Sequence, residues 1–80
     1  MTHIQDYDLV ALMHPCSATH KQTHKPIKLQ RGQIGTVLMS FDDRAFLIDF
    51  ADHDGNTFAM ETIAIEHLLR LIHEPCLVNA

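Results

Sequence analysis

Between Thr36 and Thr62 the chain alternates apolar and polar residues at period two, and short runs of turn formers break that alternation twice. This pattern belongs to half-buried antiparallel strands and excludes a long helix over the same span. Val37, Met39 and Phe41 fall on one face of the first run, with Thr36 and Ser40 on the other. Phe46, Ile48 and Phe50 align in the second run, opposite Leu47 and Asp49, and Phe58 and Met60 align in the third. Asp42-Asp43-Arg44 and Asp52-His53-Asp54-Gly55-Asn56 supply the turns, because Asp, Asn and Gly tolerate left-handed backbone. The expected unit is a three-stranded meander whose core is the eight apolar residues just named other than Leu47. Leu38 and Leu47 lie on the outer face, where together they would form a small apolar patch suited to a partner or to a second copy of the chain.

Length limits what can be built around this meander. Eighty residues leave room for one domain, 1–80, with its core expected over 7–72. A chain this short buries only roughly 63% of its unfolded surface, so its core must be efficient or shared with a partner. A hydrophobic fraction of 46% argues against disorder. No apolar run approaches the roughly 18 residues of a membrane span. The opening MTHIQDYD lacks the basic flank and apolar stretch of a signal peptide, so a cytoplasmic location is expected. Cys16 and Cys76 are too few and too far apart for a disulfide framework.

The flanks complete the architecture. Tyr7 to Met13 is a short apolar run closed by His14-Pro15, where proline ends strand pairing. His14 to Gln30 is polar, holds two of the three prolines and reads as a long loop. Arg31-Gly32-Gln33-Ile34-Gly35 follows, with glycines placed for a tight turn and a bulge or strand bend. Ile65, Leu68, Leu69 and Ile72 match a helical stripe ended by Pro75, and they equally match a helical turn at 64–67 followed by a strand at 68–72. The second arrangement pairs the last strand with the first and closes the sheet, removing both exposed edges. Five short strands with one helical turn before the last describe a small SH3-like barrel, with 73–80 as a tail. The alternative is an α+β fold, a three- or four-stranded antiparallel sheet with a C-terminal helix.

The segments YDLVAL, KLQRGQIGTVLMSFDD, FLIDFADHDGNTFAMET and LLRL, in that order, resemble the bacterial domain-of-unknown-function family numbered 4926. Its members look like small SH3-like barrels with an RGxxGTV turn and a "vdFxDxdGxT" hairpin, and the resemblance spans Tyr7 to Ile72. The segment 14–30 is longer and richer in histidine than the family pattern, and LLRLIHEPC extends its usual ending. The resemblance implies a fold and no activity. Such domains often sit in compact bacterial operons, some resembling toxin–antitoxin pairs, which implies a partner-binding role.

Ten acids against six bases give a net charge of −4, which argues against a dedicated nucleic-acid binder. The charge is uneven: Lys21, Lys25, Lys28 and Arg31 share a stretch free of acids, while five aspartates crowd 42–54. One reading is a pair of solvated surfaces; the other is a two-signed surface that steers a partner protein. Cys16, His20 and His24 are four and four apart, so a helical loop would set all three on one side, with donors that suit zinc. The neighbouring lysines oppose a dication there, and a solvated polar loop explains the residues as well. Those lysines would also depress the Cys16 thiol, although no histidine–acid pair accompanies it. No catalytic residues and no cofactor are expected. The leading expectation is a non-catalytic module that binds another protein through Lys21, Lys25, Lys28 and Arg31, with Leu38 and Leu47 as further candidates. A nucleic-acid-binding barrel of the KOW type, using the basic loop and the RGQIGT turn, is the alternative. Metal binding through Cys16, His20 and His24 is third.

Overall fold

The alternation in 36–62 folds as the sequence requires, with its faces altered by two irregularities. The structure is a computed structural model that describes residues 3–78. Its strands are β1 (Leu9–Leu12), β2 (Cys16–Thr19), β3 (Pro26–Leu29), β4 (Ile34–Phe41), β5 (Ala45–Ala51), β6 (Thr57–Ala64) and β7 (Leu68–Arg70). A single 3₁₀ turn, Ile65–His67, precedes β7, so the fold is mainly β. Five strands form one antiparallel sheet in the order β6-β5-β4-β1-β7, and β2 and β3 form a separate hairpin.

Val37, Phe46, Ile48 and Phe50 are fully buried, as the alternation predicts. Met39, Phe41 and Met60 are not: they are 46%, 43% and 41% exposed. The register of β4 on β5 shifts between Val37 and Met39, which leaves Leu38 as an extra residue. A second shift, between Phe50 and Ala51, leaves Phe58 unpaired in β6. Because side chains alternate with period two, one inserted residue turns everything beyond it to the opposite face. Met39 therefore pairs with Leu47 on the outer face, while Ala59 and Ile63 take the inward places expected of Phe58 and Met60.

The polar segment 14–30 is a hairpin rather than a loop. Ser17 and Lys28 face outward as a cross-strand pair, while Ala18 and Leu29 are buried in the core. The signal was present as alternation at Cys16/Ala18 and Ile27/Leu29, diluted by the polar residues between them. At the other end, the 3₁₀ turn and a strand replace the helical alternative. Met13 N–H donates to His67 O (2.8 Å) and Leu71 N–H to Leu9 O (2.9 Å), so pairing with β1 satisfies backbone that a helix would leave bare. Leu69 and Ile72 of the helical stripe are consequently exposed.

Pairing of β7 with β1 does not close the sheet: among the described residues β6 and β7 remain its two edges. The tail expected over 73–80 is exposed as far as Val78; Asn79 and Ala80 lie outside the described residues. Among the described residues no helix is long and apolar enough to cross a membrane.

Candidate functional site

The basic cluster stands on the hairpin, and local chemistry explains why it holds its shape. At the tip, His20 N–H donates to Lys25 O and His24 N–H to His20 O, both at 2.9 Å, with His24 in left-handed backbone at φ 59°. His20 Nδ1 accepts from Gln22 N–H (3.2 Å) and Thr23 N–H (3.3 Å), the role a capping side chain plays at a turn. Thr23 Oγ1 accepts from Lys25 N–H (3.3 Å). The tip is then tied to β6: the His20 ring stacks on Phe58 at 6.2 Å, Lys21 N–H donates to Phe58 O (2.8 Å), and Thr19 N–H donates to Glu61 Oε2 (3.1 Å).

Lys21, Lys25 and Lys28 are exposed along this arm, and among the described residues none of them is ion-paired. Arg31, also exposed, follows at the foot of the arm in a turn where Gln33 N–H donates to Gln30 O (2.9 Å) and Gly32 takes φ 90°. That backbone is why glycine stands at 32. Gly35 serves a different purpose. A Cβ there would collide with Ile48 Cγ2 and press within 3.1 Å of Phe50, so the RGQIGT segment needs one glycine for its turn and one for its packing.

The other candidates separate. Leu38 and Leu47 are both half-buried and do not pair, since Leu38 is the bulged residue and Leu47 lies opposite Met39. The outer apolar surface is instead carried by Met39, Phe41 and Met60, which the alternation assigns to the core. A bulge is hard to see in sequence, so this exchange left no local signal. Asp49 shares that face, and its Oδ1 is enclosed without a hydrogen-bond donor.

Cys16, His20 and His24 do not converge as the helical spacing required. Cys16 sits in β2 and packs against the core, whereas His20 and His24 are at the tip. The lone pair of His20 Nδ1 is already committed to two backbone donors. Among the described residues no group of three His, Cys, Asp or Glu side chains is placed to hold a metal ion. The Cys16 thiol is pushed up, first by burial and then by the nearby Glu61 charge, opposite to the depression expected from the lysines.

With this geometry established, comparison with known families is decisive for the chain's affiliation. The family described as "Domain of unknown function (DUF4926)" matches residues 6–70. The chain belongs to that family. The DUF4926 match runs from just before β1 to the end of β7 and includes the basic hairpin, whereas the segment LIHEPCLVNA lies beyond it. No curated protein and no solved structure matches the chain.

Proposed function

We propose that this DUF4926 domain is a non-catalytic, cytoplasmic protein-interaction module built on an SH3-like barrel. Its basic arm engages an acidic surface of another protein, as an antitoxin-like or accessory partner of a neighbouring gene product. The strand order β6-β5-β4-β1-β7, the arm inserted between β1 and β4, and the 3₁₀ turn before the last strand support the barrel reading.

One observation carries the functional reading: three exposed lysines project from an arm anchored by Ala18 and Leu29, with Arg31 at its foot. An arm anchored in the core presents its charges in a fixed arrangement, which favours selective encounter over diffuse attraction. The acidic turns at Asp42-Asp43 and Asp52-Asp54 belong to the meander, so the molecule carries patches of both signs.

Co-expression with the neighbouring gene product, followed by gel filtration, tests the reading. A co-eluting pair is expected, and combined Lys21→Glu, Lys25→Glu and Lys28→Glu should slow association and weaken its salt dependence. Separate elution of two folded chains overturns the proposal. The exposed Arg31 beside the lysines of the arm favours a second reading, phosphate contact by basic side chains, since the Gly32 and Gln33 N–H groups are already taken by Leu12 O and Gln30 O. Net −4 weighs against it. Binding to RNA or DNA at low salt that falls steeply as salt rises would put it first, and absence of binding at low salt would end it.

A further inference from the structure

The outer face of the meander is apolar except near one charged side chain. Register sets Met60, Asp49, Thr36 and Leu9 in one row across β6, β5, β4 and β1. The next row is Thr62, Leu47 and Met39, followed by Ala64, Ala45 and Phe41. Met39, Phe41 and Met60 are exposed along these rows. The strands β4, β5 and β6 contain two charged residues, both acids. Glu61 stands opposite the buried Ile48, so it belongs to the other face, where it accepts from the arm. Asp49 is left as the one charge on the outer face of the three strands.

That charge is unanswered. Among the described residues Asp49 makes no ion pair, and its Oδ1 is enclosed with no hydrogen-bond donor in reach. Folded proteins pair or solvate nearly every such atom, so an orphaned carboxylate oxygen asks for an explanation outside the local packing. The residue as a whole is only half-buried, so its charge is still presented at the face. The surroundings reinforce it. From Ile34 to Ala64 six acids stand against Arg44 alone, a net −5, while the whole chain carries −4, so the remainder is slightly positive.

We infer that the outer face of β4, β5 and β6 docks a basic amphipathic helix of another protein, with a lysine or arginine seated at Asp49 and apolar side chains on Met39, Phe41 and Met60. Charge selects this occupant. Covering the face strips Asp49 of the water it retains, and an unpaired carboxylate in a dry contact is strongly destabilising. A segment that brings a cation to that point covers the face without this loss. A second copy docked face to face about a two-fold axis would bring two acidic faces together, and like charges oppose that contact. An anionic membrane surface is repelled by the same field. The apolar part suits a helix, whose backbone is satisfied internally and whose side chains alone meet the sheet. Met39 and Met60 are unbranched and polarizable, so they can adjust to varied apolar side chains around the fixed charge.

This face is opposite in sign to the basic arm and shares no residue with it, so the inference does not rest on the function proposed above. The probe is a fluorescent synthetic helix of roughly 18 residues, leucine on one face and lysine on the other, with one lysine set within the leucine stripe. Anisotropy with the full chain should show saturable binding, and the same helix with glutamate for lysine should not bind. Asp49→Asn should weaken binding at least about fivefold, and Met39→Ser combined with Met60→Ser should weaken it comparably. Glu66→Gln removes one charge from the exposed 3₁₀ turn and should stay within about twofold of the parent. The Lys21→Glu, Lys25→Glu, Lys28→Glu chain keeps the docking face and should bind at least as well, which separates failure here from failure of the arm. Methyl NMR locates the contact: the Met39 and Met60 methyl signals should move on titration, while that of Met13, exposed just after β1, should not. No binding up to about millimolar peptide, equal losses in Asp49→Asn and Glu66→Gln, or shifts confined to Met13 would overturn the inference. Concentration-dependent dimerisation that Asp49→Asn strengthens would also overturn it, because a second copy would then be the occupant.

Discussion

The two margins of the five-stranded sheet are finished in opposite ways. Along β6, the hairpin tip reaches across: Lys21 and Thr19 donate backbone hydrogen bonds to Phe58 O and Glu61 Oε2, and the His20 ring lies on Phe58. Along β7, nothing in the described residues takes the outward backbone groups. One margin is thus covered by the molecule's own polar arm, and the other is a short strand, Leu68–Arg70, that no described residue covers. The contrast shows how a small open sheet can do without full closure. It covers one edge from within and keeps the other to a three-residue strand that carries Arg70.

The heaviest test of this contrast removes what both margins share. Phe50 is fully buried beneath Gly35 and beside Ile48, so Phe50→Ala should cost about 3–5 kcal/mol in urea denaturation and loosen both edges together. A cooperative variant losing under about 1 kcal/mol would show that the sheet does not rest on this residue. Leu29→Ala separates the margins. It removes the anchor of the arm, should cost about 2–4 kcal/mol, and should raise amide exchange in β6 more than in β7. Equal acceleration in the two strands would mean that the arm does not act as the cover of β6.

Smaller changes address the tether alone. Glu61→Gln or His20→Ala should each cost roughly 0.5–1.5 kcal/mol, with the loss appearing as faster exchange at the tip. The gentlest probe is thiol alkylation. Cys16 is held above its ordinary value of 9.0 by burial and then by Glu61, so it should react well behind the exposed Cys76. Because the folded value is raised, the contribution to stability is full below 9.0 and is lost as pH rises through the raised value. Glu61→Gln removes the second cause and should narrow the gap between the two cysteines; an unchanged ratio would show that the Glu61 charge does not reach the thiol.

Much of this architecture is legible in residue order, and the failures share one cause. The meander and its turns follow from alternation and from turn chemistry at Asp42-Asp43 and Asp52–Asn56, whereas the stripe at 65–72 fits a helix and a turn plus strand equally. Faces beyond Leu38 and Phe58 are misassigned by alternation because a single extra residue reverses the period-two pattern while leaving it intact. The hairpin reads as a loop because its inward positions are Cys16, Ala18, Ile27 and Leu29, separated by a long polar tip. Its basic residues are evident nonetheless, since charge at Lys21, Lys25, Lys28 and Arg31 is visible without knowing the backbone that carries it.

Residue order by itself determined a small, mainly β chain, the placement of its turns, the glycines at 32 and 35, and a basic cluster on the segment before β4. These are local properties, set by backbone sterics, side-chain periodicity and charge within a few positions. Tertiary structure alone decided which face of β4 and β6 is buried, that the polar segment folds as an arm over β6, and that β7 pairs with β1. Those outcomes depend on register and on backbone hydrogen bonds between residues far apart in the chain, such as Thr19 with Glu61 and Leu71 with Leu9. No local pattern encodes them, because the partner groups meet only once the sheet has formed.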